Sequence, residues 1–112
     1  EMKGSDVFKI AVNTLGKLAK HTLQINNLEQ DQLDWLVPHQ ANERIILAIA
    51  KKINLSKEKI IITVNQHGNT SAASIPLAFD YANSKNMFKS GEHIMLEAFG
   101  AGFTWGSVLL KY

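Results

Sequence analysis

The chain has 112 residues, of which 46% are hydrophobic and 20% are charged, a balance that suits one globular domain with a modest core. Its formal net charge of +2 is too small to indicate nucleic-acid binding, and its basic residues are spread along the chain. The absence of cysteine excludes disulfides, thiolate metal sites and a cysteine nucleophile within the chain, and it fits a cytoplasmic location.

The first half of the chain predicts a helix, a strand and a second helix. Apolar residues recur at helical spacing over residues 6–25. A short apolar run that ends in proline, residues 34–38, predicts a buried strand. Helical spacing returns over residues 41–53, and Asn54 is a suitable end for that helix.

The second half predicts a strand over residues 59–64, a helix over 71–83, and strands over 93–99 and 103–112 joined as a hairpin by a glycine loop. The resulting order predicts an α/β fold with a mostly parallel sheet, a final antiparallel strand and helices on the faces. Strand–helix–strand units normally begin with a strand, and here a helix comes first. Since no apolar run reaches the roughly 18 residues of a membrane span, we also expect no membrane insertion.

Polar side chains follow two predicted strands, and a glycine loop follows a third. His39 and Asn69 stand just past strand ends, as does the loop over residues 99–102. Sites in parallel sheets form at the carboxyl ends of the strands, so these loops could build an oxyanion site with an imidazole, an amide and backbone N–H groups as donors. An equally weighted alternative is that His39 and Asn69 only satisfy backbone groups in two turns. No zinc-protease motif occurs, so we expect no metal site. The G-x-S-x-G motif is also missing, which argues against a serine hydrolase.

Three motifs, "DWLVPHQAN", "QHGNTSAAS" and "EAFGAGFTWGS", closely resemble the C-terminal half of β-ketoacyl-acyl-carrier-protein synthase III, the condensing enzyme that starts bacterial fatty acid synthesis. The resemblance runs from about residue 6 to residue 112. It implies a thiolase-like fold of two similar α/β halves. Residues 1–112 would then be the C-terminal catalytic half, and the N-terminal half would carry the nucleophilic cysteine. Glu1 precedes Met2, which also leads us to expect a fragment of a longer protein.

The resemblance assigns roles to individual residues. The catalytic histidine and asparagine of the family correspond to His39 and Asn69, which would donate hydrogen bonds to the thioester oxygen of malonyl-acyl carrier protein as it loses CO₂. The glycine loop would place a backbone N–H near Ala101 in an oxyanion hole, with Gly100 beside it and Phe99 packed next to the site. The family usually has three glycines where this chain has Gly100, Ala101 and Gly102.

The resemblance also implies substrates and partners. Asn42 corresponds to a residue that contacts the pantetheine arm. Arg44, Lys51, Lys52 and Lys9 correspond to basic positions on the face that docks the acidic acyl carrier protein. The substrates would be coenzyme A and carrier-protein thioesters, with no cofactor. The partners would be acyl carrier protein, acyl-CoA and the N-terminal half, in a homodimer.

Two alternatives remain open at this stage. The chain could be a stand-alone module that binds acyl carrier protein without chemistry, because it holds the basic residues but no nucleophile. It could also belong to a related thiolase-fold enzyme, such as a polyketide-type synthase or a decarboxylase, in which His39 and Asn69 would serve equally well. The chain alone is expected to be inactive in condensation.

Overall fold

The computed structural model describes residues 4–40, 43–64, 74–100 and 104–112. Within these ranges, three helices and three strands follow one another in the order α1 (Gly4–Ile25), β1 (Trp35–Pro38), α2 (Glu43–Lys52), α3 (Ser74–Ser84), β2 (His93–Gly100) and β3 (Thr104–Lys111). Two short 3₁₀ turns, Gln30–Gln32 and Lys57–Lys59, lie in the connections. The α/β fold class and the hairpin at the end of the chain are confirmed.

The sheet has the order β1-β2-β3. Strand β1 runs parallel to β2, with Trp35 opposite Ile94 and Pro38 opposite Glu97. Strand β3 runs antiparallel to β2 over eight residue pairs. Because a parallel connection needs a crossover, helices α2 and α3 lie between β1 and β2 along the chain, whereas β2 and β3 follow each other directly.

The predicted strand over residues 59–64 is wrong as a regular strand. Ile60 forms a single parallel bridge with Leu36, and the Ile61 N–H donates to the Leu36 carbonyl at 3.0 Å. Further along, the buried side chain of Gln40 takes over as partner: it donates to the Ile61 carbonyl and accepts from the Thr63 N–H. The β-branched run is therefore extended at the edge of the sheet, but a side-chain amide replaces part of the backbone ladder.

Each of the three helices that the structure describes is followed by an asparagine two residues after its last residue. The asparagine after each helix has a positive φ of 55–56°, a conformation that asparagine tolerates better than most residues. After α2, the Leu55 N–H bonds back to the Ala50 carbonyl at 2.9 Å and the Asn54 N–H to the Lys51 carbonyl at 3.2 Å, which is the Schellman pattern. The predicted end at Asn54 is confirmed, and the equivalent residues after α1 and α3 are Asn27 and Asn86.

Apolar side chains fill both faces of the sheet. Alternation along β1 and β2 sends Leu36 and Met95 to the face covered by α1 and α2, and Val37 and Ile94 to the face covered by α3. On the first face, α1 contributes residues four apart, which is the spacing from which the helix was predicted. Those residues are Ala11, Leu15, Ala19 and Leu23.

The outer strand β3 is less covered than the rest of the sheet. Trp105 and Val108 on this strand are 40% and 58% exposed, whereas Trp35 on β1 is half-buried against Phe88, with ring centroids 5.6 Å apart. Within the described ranges, no helix has the length and apolar character needed to cross a membrane.

Candidate active site

His39 lies immediately beyond the carboxyl end of β1. Its backbone N–H donates to the Glu97 carbonyl at 2.8 Å, which continues the pairing of β1 with β2 for one more residue and fixes the main chain of His39 in place. The side chain is half-buried. The position of this histidine at the carboxyl edge of the sheet agrees with the prediction.

The imidazole of His39 is held from one side by the start of α3. Its Nδ1 lies 2.8 Å from the Ser74 Oγ, and that oxygen also accepts the Gln40 backbone N–H at 3.2 Å. Burial lowers the pKa of His39 below its ordinary value of 6.5, because an imidazolium ion loses hydration in this environment. The neutral ring is therefore favoured near pH 7.

Gln40 ties the end of β1 to the following segment of the chain. Its side chain is 1% exposed. The amide Nε2 donates to the Pro38 carbonyl at 2.8 Å and to the Ile61 carbonyl at 3.0 Å. The amide Oε1 accepts the backbone N–H of Thr63 at 2.7 Å and that of Val64 at 3.1 Å. The amide nitrogen and the amide oxygen of this buried side chain both have hydrogen-bond partners, and they hold residues 61–64 beside the end of β1.

Glu97 is a second buried polar residue next to the site. Its side chain is fully buried on the sheet face that also carries Met95, and it lies opposite Pro38 on β1 and Ser107 on β3. Among the described residues, neither carboxyl oxygen has a hydrogen-bond partner, and the same holds for the Ser107 Oγ. Burial raises the pKa of the Glu97 carboxyl to about 8, so the neutral acid predominates at pH 7.

Replacing Glu97 by glutamine should flatten the dependence of stability on pH. The folded protein holds the Glu97 proton with a pKa of about 8, compared with an ordinary value of 4.5, so its stabilising contribution is complete below pH 4.5 and is lost as the pH rises through about 8. One pKa unit corresponds to about 1.4 kcal/mol, so the loss amounts to at most about 5 kcal/mol.

Urea denaturation of the purified protein at several pH values measures this difference. Glu97→Gln keeps the shape of the neutral acid but cannot ionise, so its stability relative to the parent should rise with pH. Glu92 is not a suitable control because it is half-buried and accepts hydrogen bonds. Glu58→Gln is the better control because it changes an exposed carboxylate in a short turn. Equal pH slopes for Glu97→Gln and the parent would contradict an uncharged, buried Glu97.

The other predicted site residues divide into two groups. Phe99 and Gly100 end β2, opposite Trp105 and Thr104, and the register Pro38–Glu97 brings this strand end to the same edge of the sheet as His39. Asn69, Asn42 and Ala101 lie outside the described residues. Their roles stay predictions.

The predicted docking residues lie at two ends of the helical face. The Arg44 guanidinium sits over the Phe8 ring, 5.4 Å from its centroid. Phe8 precedes the exposed Lys9 on α1, and Arg44 lies in the first turn of α2. Lys51 and Lys52 end α2, and Lys51 comes seven positions after Arg44, which places it about 10 Å farther along the helix. The stem of Lys52 covers Gly16 of α1, where an added Cβ would lie 2.6 Å from the Lys52 Cγ.

Three residues of the site had no predicted role: Ser74, Gln40 and Glu97. Gln40 stands inside the "VPHQAN" motif, two residues after the apolar strand β1. A polar residue in this position was a usable signal for a role in the site. Glu97 is the one acidic residue in the apolar run "HIMLEAF", which was a second signal. Among the described residues, no group of three or more histidine or acidic side chains could hold a metal ion.

Comparison with known proteins gives one consistent family. Residues 23–112 match the family model described as 3-oxoacyl-[acyl-carrier-protein (ACP)] synthase III C terminal. β-Ketoacyl-[acyl-carrier-protein] synthase III from Thioalkalivibrio sulfidiphilus is 54% identical over 112 residues, which is 100% of this chain and 35% of the relative. The enzyme of the same name from Blochmanniella floridana is 60% identical over 111 residues, 99% of this chain and 35% of the relative.

Solved structures agree with the sequence relatives. The crystal structure of 3-oxoacyl-[acyl-carrier-protein] synthase III from Aquifex aeolicus superposes with a TM-score of 0.96 at 42% identity, covering 100% of this chain and 36% of that one. The predicted thiolase-like architecture is confirmed by this superposition. The chain spans about a third of the length of the curated relatives it matches.

Proposed function

Because this chain belongs to the family formed by the C-terminal part of 3-oxoacyl-[acyl-carrier-protein] synthase III, we propose that it supplies the decarboxylation half of a condensing active site. The reaction is the decarboxylative Claisen condensation of an acyl-CoA primer with malonyl-acyl carrier protein. The observation that carries the proposal is the neutral, half-buried His39 at the carboxyl edge of the sheet, hydrogen-bonded through Nδ1 to Ser74.

A neutral imidazole suits the step in which CO₂ leaves. The bond from the malonyl carboxylate to the α-carbon breaks, and its electron pair moves into the thioester as an enolate. His39 and Asn69 donate hydrogen bonds to the enolate oxygen, where negative charge develops. The α-carbon then attacks the acyl group on the cysteine of the N-terminal half, and the cysteine thiolate leaves.

The remaining parts of the site belong to the proposal through the resemblance alone. Asn42 contacts the pantetheine arm, and the backbone N–H near Ala101 completes an oxyanion hole for the acyl group. The substrates are thioesters of coenzyme A and of acyl carrier protein. No cofactor is required, because release of CO₂ generates the carbanion.

Acyl carrier protein docks on the surface formed by α1 and α2, where Lys9, Arg44, Lys51 and Lys52 lie. Arg44 lies in the first turn of α2, five residues after His39, and its guanidinium sits over Phe8, the residue before Lys9 on α1. Lys51 and Lys52 lie about two turns farther along α2. Positive charge at both ends steers an acidic carrier protein along the helix.

The N-terminal half of the enzyme and a second subunit are the remaining partners in the proposal. The exposed Trp105 and Val108 on the outer strand β3 support a covered surface there, since apolar residues on an edge strand are usually paired or shielded. A cytoplasmic location is supported by the absence of cysteine from the chain.

A hybrid enzyme tests the proposal. The chain would replace the matching 35% of the Thioalkalivibrio sulfidiphilus relative, and condensation of acetyl-CoA with malonyl-acyl carrier protein would be measured. The hybrid should condense at a rate within about tenfold of the parent enzyme if its residues hold the reacting groups in the same positions. A misplacement of only about 1 Å would already lower the rate about 10²-fold. The relative without its C-terminal segment is the control and should be inactive.

Two results of this experiment would contradict the proposal. A hybrid that folds and unfolds like the parent enzyme but does not condense would show that this chain lacks a working decarboxylation site. Saturable binding of acyl carrier protein without condensation would favour the alternative of a binding module.

A further inference from the structure

The hydroxyl group of Ser74 occupies a position between two groups of the site. Its side chain is 1% exposed. In the described part of the chain, the Ser74 Oγ takes part in two hydrogen bonds: it accepts the Gln40 backbone N–H at 3.2 Å and lies 2.8 Å from the His39 Nδ1. The contact with His39 joins residues that are 35 positions apart, so it depends on the folded structure.

The direction of the bond between Ser74 and His39 determines the chemistry of the imidazole. A neutral imidazole carries one N–H, on either Nδ1 or Nε2. Because the Gln40 N–H can only donate, it occupies an acceptor site on the Ser74 oxygen. The hydroxyl proton is then available for the His39 Nδ1, which is the acceptor that the structure places within hydrogen-bond distance.

From this arrangement we propose that Ser74 is a positioning residue that fixes His39 as the Nε2–H tautomer. The chain of bonds runs from the Gln40 N–H to the Ser74 Oγ, and from the Ser74 O–H to the His39 Nδ1. The ring proton is consequently on Nε2, the nitrogen on the other side of the ring from Ser74, where it can be donated. In the opposite tautomer, two donors would point at the Ser74 oxygen and its own buried proton would need another acceptor.

The inference rests on the proposed function for its catalytic meaning, because a donor at Nε2 is what stabilisation of an enolate oxygen requires. The tautomer itself is a physical property of the folded chain. It can therefore be tested without any activity, which separates a failure of this inference from a failure of the proposed function.

Nitrogen-15 NMR of the histidine-labelled hybrid enzyme measures the tautomer directly. His39 is assigned by its loss in His39→Ala. The parent hybrid should show an Nε2–H ring with an unprotonated Nδ1, and Ser74→Ala should show a mixture of tautomers. Ser84→Ala is the matched control, because Ser84 lies at the exposed end of the same helix and bonds to the Tyr81 carbonyl. An Nδ1–H ring in the parent, or an unchanged Nε2–H ring in Ser74→Ala, would overturn the inference.

Kinetics of the same variants test the consequence for the reaction. Ser74→Ala should lower kcat about 10-fold with little change in KM for malonyl-acyl carrier protein, a smaller loss than the 10²–10³-fold expected on removal of a donor itself. Ser74→Thr keeps the hydroxyl and should recover both the tautomer and most of the rate, with thermal unfolding used to confirm that each variant folds. Equal kcat values for Ser74→Ala and Ser84→Ala would contradict the positioning role.

Discussion

Replacing His39 by alanine should lower the condensation rate of the hybrid enzyme by about 10²–10³-fold, the cost of removing one donor from a preorganised oxyanion site. The loss should lie in the decarboxylation step, because that is where negative charge develops on the thioester oxygen. Release of CO₂ from carboxyl-labelled malonyl-acyl carrier protein measures this step separately from transfer of the primer to the cysteine.

His21→Ala is the matched control for this prediction. His21 is exposed on α1, so its removal should leave both steps within about twofold, as expected for surface substitutions that change stability by less than about 0.5 kcal/mol. If His39→Ala released CO₂ as fast as His21→Ala, the reading of His39 as a turn residue that only satisfies local groups would be the correct one.

Replacing Gln40 by alanine should be the most destabilising single change near the site. It would leave two buried carbonyls and two backbone N–H groups without their partner, those of Pro38 and Ile61 and those of Thr63 and Val64. An orphaned buried polar group costs about 1–3 kcal/mol, and partial relaxation still leaves an expected loss of at least about 3 kcal/mol in the free energy of unfolding.

Urea denaturation measures this loss, and two further variants make the result specific. Gln32→Ala removes an exposed glutamine whose side chain accepts one backbone N–H, and it should cost about 1 kcal/mol or less. Gln40→Glu retains the acceptor but replaces the donor by a charge that faces two carbonyls, so it should be about as harmful as Gln40→Ala. A stable Gln40→Glu would show that the amide nitrogen contributes nothing.

Gln40→Ala should also reduce the condensation activity of the hybrid enzyme. Residues 61–64 precede the segment that contains Asn69, and the clamp made by Gln40 sets where that segment starts. A loss of activity in Gln40→Ala at temperatures where the hybrid enzyme is still folded would indicate misplacement of this segment, since errors of about 1 Å cost about 10²-fold in rate.

Local sequence patterns were sufficient for most of the regular structure. The apolar spacing of α1 and α2 matches their buried faces, and the asparagine after α2 ends it as predicted. The hairpin of β2 and β3 follows from two apolar runs around a glycine loop. In each case the deciding interactions join residues close in the chain, so the pattern contains the needed information.

The same reasoning failed where a distant side chain decides the outcome. The run over residues 59–64 has the composition of a strand, but its carbonyl and N–H groups bond to the amide of Gln40, which lies 21–24 residues earlier. Trp105 is a large aromatic residue, yet it lies on the outer strand and is 40% exposed. Propensity describes what a segment can form, and the neighbours available in the fold determine what it does form.

The sequence by itself determined the family, the α/β class and His39 as the candidate donor, because these follow from motifs and from periodicity along the chain. Only the tertiary structure revealed that Ser74 holds the imidazole, that Gln40 clamps the adjoining segment and that Glu97 is buried as a neutral acid. The physical reason is common to all three. The state of a proton and the satisfaction of a buried polar group depend on burial and on partners brought together from distant parts of the chain.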